Sequence, residues 1–496
     1  MFKKVLCLLL VLTFVVVSIA GCGTRNNEAD KQATTSGQTK GEETGEEVKK
    51  AEPKKITFAH VQGEWSWPAL NELVEMYKGK SGNTVELVYI PAQQMTDWSK
   101  TQFAGRSEPD IIWNAGQPAA DYYKNKWIID LTSYYNDTSP YTGKPWKDSF
   151  REGILKGVID ANLGNAMLGM PSGVVTVNLF YNKDIFKELG LADEAPKSWS
   201  QVLEYAKKVK ESGKDYVPYS LQNSMAWNLG WQEYFMMEQL WYDVVPKLDI
   251  ITPNGKLDVS EQALGVKTGI IDPGDQRMVD YFKFMKEFAK YFNKGFNTAS
   301  WEYEALFNEG KAAMNLNGSW FPNQCITNKI TVNYGIGPMP YVDSGISKFA
   351  ENRLRKYSLG IGGPDAVVTQ KAKDEGRDGA AVDFLRFWTD PKSGAKIIAE
   401  KFMFIPVVKD VEVPAVMRGI TDYIGTDEQI VCWSVHKFTK EEEDKYHVMF
   451  SAFLEDNTTP EEFAVKFKDL AVKACGNAIK EHPEWKVEEF VSKVSK

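Results

Sequence analysis

Hydrophobic positions along the chain fall into three regimes. From Val5 to Ala20 apolar residues run almost unbroken, with Thr13 and Ser18 as the polar members. From Gly23 to Lys55 there is no aromatic residue and hardly an aliphatic one, so this stretch cannot bury a core. From Ile56 onward the spacing is that of a packed protein. Ile56 to Ala59 is a short β-rich run; then Leu70, Leu73, Val74 and Tyr77 share one face of a helix that Gly82 should end. Val85 to Ile90 alternates as a strand closed by Pro91, and strand character returns from Pro109 to Trp113. Ser198 opens a helix carrying Val202, Leu203, Ala206 and Val209, with Gly213 past its end. Thr459, Pro460 and Glu462 form a capping box ahead of Phe463, Phe467, Leu470 and Ala474. Strand and helix alternate, which predicts an α/β fold with a mainly parallel sheet covered on both faces. No repeat at the period of a solenoid or propeller is present. Asp243 to Gln276, dotted with Pro246, Pro253, Gly255 and Pro273, reads as a partly irregular insertion.

The first regime is an address rather than a structural element. A basic start, an apolar run too short to span a bilayer and small residues at its end describe an export signal. Its exit, Ile19-Ala20-Gly21-Cys22, resembles a bacterial lipobox. The resemblance implies a signal peptide over 1–21 and a mature chain that begins at an acylated, palmitate-bearing Cys22. Residues 22–55 would then be lipidated cysteine plus disordered tether, with a reach of roughly 30 Å. The plainer alternative is an uncleaved N-terminal helix with an incidental cysteine. Cys325, Cys432 and Cys475 are too widely spaced for a disulfide framework or a zinc cluster and read as buried thiols, with one bridge among them left open.

At 496 residues and 43% hydrophobic, the chain exceeds one ordinary core and should fold as two or more lobes. Its 67 acidic against 59 basic residues leave a net charge of −8, which repels a phosphate backbone and argues against nucleic acid as partner. Four histidines, none at a metal-ligand spacing, and no nucleophile elbow or phosphate loop give no metal, cofactor or catalytic assignment. Gly335-Ile-Gly-Pro338 and Gly360-Ile-Gly-Gly-Pro364 fail the dinucleotide pattern and read as hinge turns, and Glu441 to Asp444 reads as a solvated charge run.

Three stretches resemble the extracellular solute-binding proteins of ABC sugar importers, the family that includes maltose-binding protein. They are Glu108-Pro-Asp-Ile-Ile-Trp-Asn-Ala with Trp127-Ile-Ile-Asp-Leu-Thr132; Gly169-Met-Pro-Ser with Leu179-Phe-Tyr-Asn-Lys-Asp-Ile-Phe186 and Pro196-Lys-Ser-Trp199; and Phe307-Asn-Glu-Gly-Lys-Ala-Ala-Met-Asn-Leu-Asn-Gly-Ser-Trp320. The resemblance implies a two-lobed, type II periplasmic-binding-protein-like fold, each lobe a mainly parallel sheet flanked by helices. It places hinge crossings near Met170 to Gly173, Met314 to Asn317 and Tyr357 to Gly360. On that pattern 56–170 plus 314–357 form the first lobe and 171–313 plus 358–496 the second. Asp243 to Gln276 and Val407 to Tyr446 look longer than the family pattern.

A sugar offers C–H faces and a rim of hydroxyls, so its site needs flat rings and planar polar groups. After the first strand, Glu64, Trp65 and Trp67 have that composition; at the next strand end the resemblance marks Asn114 and Gln117, while Trp113 is assigned to packing. In the second lobe Trp227 is favoured over Trp231, which begins a helix-like segment. The aromatic after Gly-Ser of the third motif, Trp320, is the strongest candidate, and Trp433 is a weaker one. The reading is a monomeric carbohydrate binder, for a mono- or oligosaccharide, anchored by lipid at the extracytoplasmic face of the cell membrane. It would deliver its ligand to an ABC permease by closure. A binder of a peptide or polyamine, or an extracellular glycoside hydrolase with paired carboxylates, are the alternatives.

Overall fold

The computed structural model describes residues 52–91, 94–113, 119–160, 163–174, 176–223, 228–250, 257, 259–298, 302–355, 365–421 and 440–494. Cys22, Asn114, Gln117, Trp227, Trp433 and Cys432 lie outside the described residues. Strands β1 (Lys55–His60), β2 (Thr84–Tyr89) and β3 (Ile111–Trp113) alternate with α1 (Trp67–Ser81) and α2 (Met95–Gly105), and α3 (Ala119–Lys124) and α4 (Thr132–Asn136) follow. A short hairpin of β4 (Ile159–Asp160) and β5 (Ala166–Met167) precedes β6 (Val177–Asn182). Then come α5 (Lys183–Glu188), α6 (Trp199–Glu211), α7 (Asn228–Leu240), α8 (Val245–Leu248), α9 (Val259–Lys267), α10 (Gln276–Phe288) and α11 (Glu302–Asn308). These lead to β7 (Met314–Gly318), α12 (Phe321–Thr327) and β8 (Tyr334–Gly337). The chain continues through β9 (Ala366–Val368), α13 (Gln370–Asp374), α14 (Asp378–Trp388), α15 (Gly394–Ile397) and α16 (Arg418–Thr421), and α17 (Lys440–Glu455), α18 (Pro460–Glu481) and α19 (Val487–Val494) complete it.

Two sheets organise two lobes. The first has order β2-β1-β3-β9, with β1 parallel to β2 and β3, and β9 antiparallel to β3. Pleating turns Ile56 and Phe58 of β1 toward a core containing Trp113, Phe384 and Trp388, while Ala59 joins Ile112 and Val367 on the opposite face. Both faces are thus covered, as a parallel sheet requires. At the other end of this sheet Asp110, 1% exposed, accepts from the backbone and hydroxyl of Thr57 and from the Arg377 guanidinium. The second sheet has order β7-β6-β8, and β6 is antiparallel to both neighbours. This departs from a mainly parallel sheet in each lobe: β6 arrives from the hinge rather than through a βαβ crossover, and parallel pairing is confined here to bridges such as Ser220 with Asn315.

The expected division of the chain is corrected by this pairing. β7 and β8 bond to β6, so 314–337 belongs with the second lobe; β9 bonds to β3, and residues of α14 to α16 share the first core. Met314 to Asn317 is therefore the middle of a buried strand and not a crossing. Met170 pairs with Ala366 and Val174 with Ile405 in the first lobe, and Ser319 donates to the Thr176 carbonyl in the second, which places one crossing between Val174 and Thr176. The chain is back in the first lobe by Asp365 and Ala366, and Tyr446 and Phe450 of α17 lie in the second core. Tyr357 to Gly360, and Gly360 to Pro364, lie outside the described residues. Gly335 and Gly337 sit inside β8, where a Cβ would fall 2.2 Å from the Tyr181 ring and 2.1 Å from Ala195, so packing rather than a turn demands them.

Local signals are otherwise realised closely. Gly82 ends α1 in the left-handed region at φ 81°, and the Ser198 side chain accepts from the Gln201 amide. Thr459 and Glu462 make a reciprocal capping box on α18. Among the described residues of the Asp243 to Gln276 insertion, α9 buries Ala263, Leu264 and Val266 in the second core, which also takes in Phe463 and Phe467 of α18. In the acidic run, Glu442 is buried and accepts from Asn477. Cys325 and Cys475 are free and buried, and burial pushes both thiols up to about 12. Among the described residues no helix is long and apolar enough to cross a membrane.

Thr459→Ala removes one half of the capping box and should cost about 1 kcal/mol, read as a lowered urea midpoint with unchanged slope. An unaltered midpoint would show that α18 is held by packing alone.

Candidate functional site

In open α/β sheets, ligand groups gather beyond the carboxyl ends of the strands. At that edge of the first sheet β1 ends in His60, followed by the turn of Glu64–Ser66. Glu64 is exposed and makes no ion pair with any described residue. Trp65 and Trp67 are half-buried against the first core. The Trp65 ring meets Phe402 edge-on at 6.2 Å, and a Cβ on Gly63 would lie 3.1 Å from its Nε1. Trp67 donates from Nε1 to the Gln62 carbonyl at 3.0 Å and packs edge-on against Tyr89. Each indole keeps one side in the protein and part of its surface in solvent, the disposition of a platform.

His60 was not singled out from sequence. It is 2% exposed, its Nδ1 has no partner among the described residues, and burial pulls its pKa down to about 4, so the imidazole is neutral at pH 7. Trp113 packs as expected, at 2% exposure and stacked on Phe58.

The second lobe contributes Trp320, two residues beyond β7. Its ring lies over the Gly318 backbone so closely that a Cβ there would stand 2.2 Å from two ring carbons. Beneath it runs a polar chain. Ser319 donates to the Thr176 carbonyl, Thr176 Oγ1 to Asn178 Oδ1, and Asn178 Nδ2 to the Gly337 carbonyl. On the neighbouring side Asn317 donates to Glu304 Oε1 at 3.0 Å, and burial raises the Glu304 carboxyl. Trp320 reaches across to pack on the first-lobe core that also carries Trp65 and Trp67, and its ring meets Trp231 of α7 at 5.8 Å and 66°. Trp231, ranked below Trp227 from sequence, is thus the α7 residue brought to Trp320. Its helix-like surroundings were read as favouring the core, whereas the helix presents it, half-buried, to the other ring.

Between the lobes the first crossing is pinned at Ser172. Its amide and hydroxyl both donate to Asp365 Oδ2 at 3.0 Å, its hydroxyl accepts from Trp113 Nε1, and its carbonyl accepts from Trp388 Nε1. Burial pushes the Asp365 carboxyl up to about 6, opposed by the two Ser172 bonds. Gly173 follows because a Cβ would stand 2.9 Å from Phe404. Sequence patterning could find the glycine but not the serine, whose role depends on a partner far along the chain.

A separate depression of ≈ 300 Å³ lies at the Asn182 end of β6, away from the rings. Of its carboxylates, Glu188 and Glu309 are bonded to Lys214 and Lys311, and Asp184 accepts from Asn333. Among the described residues no group of three or more His, Cys, Asp or Glu could hold a metal ion.

Residues 66–395 match the profile of the family described as bacterial extracellular solute-binding protein. The sn-glycerol-3-phosphate-binding periplasmic protein of Brucella abortus (strain 2308) is 28% identical over 342 residues, 68% of this chain and 67% of that protein. Its Escherichia coli (strain K12) counterpart is 26% identical over 251 residues, 50% of this chain; the chain spans about half the length (51%) of this relative. Among solved structures, the maltose/maltodextrin-binding domain of Bdellovibrio bacteriovorus bound to maltotriose superposes with a TM-score of 0.59 at 18% identity, covering 86% of this chain and 100% of that one.

Gly318→Ala forces a methyl into the Trp320 ring. The expected outcome is a loss of roughly 1–3 kcal/mol in urea unfolding together with a shifted tryptophan emission. Wild-type stability and emission in this variant would mean that the ring is not seated on the glycine.

Proposed function

The chain belongs to the bacterial extracellular solute-binding proteins, and from that premise we propose that it captures an uncharged saccharide between its lobes and presents it to an ABC permease. The observation that carries the reading is Trp320: held by one lobe, packed on the other, and paired with Trp231. Rings placed this way stack on the C–H faces of pyranoses, and planar amides suit the hydroxyl rim. Asn114, Gln117 and Trp227 are proposed to complete the contacts from the adjoining segments, with Trp433 a further candidate. Ligand bound on both lobes favours the closed state only by its extra affinity for that state, so the two sets of rings must act together.

A phosphorylated polyol is the second reading, since the curated relatives are named for sn-glycerol 3-phosphate. A phosphate calls for cationic or bidentate donors. The side chains discussed at this edge are indoles, the Tyr89 phenol, the neutral His60 imidazole and the carboxylates of Glu64 and Glu304, which support a neutral ligand. A polyamine would use Glu64, the exposed carboxylate there, and a peptide would need charges for its termini. A glycoside hydrolase requires two carboxylates facing across the cleft, whereas Glu304 is turned to Asn317. Capture without covalent chemistry is the reading we adopt. At the N-terminus, Cys22 is proposed as the acylated anchor and 23–55 as its tether, holding a monomer at the extracytoplasmic face.

Titrating intrinsic fluorescence with neutral oligosaccharides, maltotriose among them, and with glycerol 3-phosphate separates the two ligand classes. Trp320→Ala should weaken saccharide binding at least tenfold, from roughly 1.5–3 kcal/mol of lost stacking and burial. Unchanged affinity rejects the role of this ring, tighter binding of the phosphate rejects the saccharide, and reducing ends released on incubation would establish hydrolysis instead.

A further inference from the structure

Three side chains of α17, a helix beyond the stretch matched by the family profile, bond to α7 and to Asn223. Tyr446 donates its hydroxyl to Glu233 Oε2, an oxygen that also accepts from Tyr281 of α10 at 2.9 Å. One residue on, His447 Nε2 meets the Asn223 carbonyl at 2.8 Å, and Ser451 Oγ accepts from Asn223 Nδ2 at 2.8 Å. Asn223 is 2% exposed and its own amide donates to the Phe296 carbonyl, so the chain is gripped on several sides just before residue 224. Glu233 stands two positions from Trp231 on α7, and its carboxylate joins α7, α10 and α17 at one oxygen.

We propose that α17 is a positioning element for the ligand site, and that protonation of Glu233 sets how firmly α7 and Trp231 are seated. The inference rests on the assignment of that ring pair as the ligand site. Burial raises the Glu233 carboxyl to about 7, against the two phenol donors that favour its charged form. Its carboxylate accepts from the Tyr281 phenol of α10 and the Tyr446 phenol of α17; α18 brings the uncharged Phe467 against Tyr446, and His447 is turned to Asn223. The sign follows from linkage. Glu233 binds its proton more tightly folded than unfolded, so its favourable contribution is present at acid pH and is lost as pH rises through about 7. Above that point a charge is buried among three helices, and α7 should loosen.

Amide hydrogen exchange of 221–223 and 228–240 in the full chain, between pH 6 and 8, tests this without any sugar. After correction for base catalysis, exchange should quicken by about threefold or more across pH 7 in the wild type and stay flat in Glu233→Gln. Tyr446→Phe removes one donor to the charged form, so its midpoint should move to higher pH, a displacement that loss of packing alone does not produce. A flat wild-type profile, a Glu233→Gln variant that retains the step, or an unmoved midpoint in Tyr446→Phe overturns the proposal. Failure to bind any saccharide would instead sink the saccharide reading and leave this measurement to decide the role of Glu233.

Discussion

Ser172 decides where the two lobes can part. Its amide, hydroxyl and carbonyl are all engaged, to Asp365, Trp113 and Trp388, so 170–174 is bound into the first lobe as firmly as any strand. A hinge needs a few residues free to change φ and ψ, and it needs fixed ends against which they turn. Here hydrogen bonds to one half-buried carboxylate, Asp365, supply such an end for two crossings at once. Gly173 shows how close the fit is, since the space a methyl would need is taken by Phe404.

The same economy of space governs the ring site. Trp320 is placed less by attraction than by a missing atom, because its indole occupies the volume that any side chain at Gly318 would claim. The polar chain through Ser319, Thr176 and Asn178 satisfies the backbone below it, where an unpaired group would cost about 1–3 kcal/mol. The ring's flat surface is therefore presented by a tightly packed support.

The features that sequence made legible were those written in local spacing. The ends of α1, α6 and α18 and the first three strands all depend on residues within a few positions of one another. Long-range pairing was not legible in this way. Met314 to Asn317 and the glycines of β8 carry polar and flexible residues that suggest a hinge. Only the register with β6 reveals them as buried strand. Trp231 illustrates a third case: helical periodicity placed it correctly on a helix and misjudged the face, because the opposing Trp320 is about 90 positions away. The buried roles of His60 and Glu233 escaped notice because a buried polar side chain has no signature apart from the partners that surround it.

β9 has one further consequence. Thr369 donates to the Pro109 carbonyl across 260 positions of sequence, and β9 itself closes the edge of a sheet begun at β1. During translation the ribosome must therefore deliver nearly three quarters of the polypeptide before that sheet can be finished. Until then β3 has an open edge, the kind of unpaired strand that invites pairing with another chain.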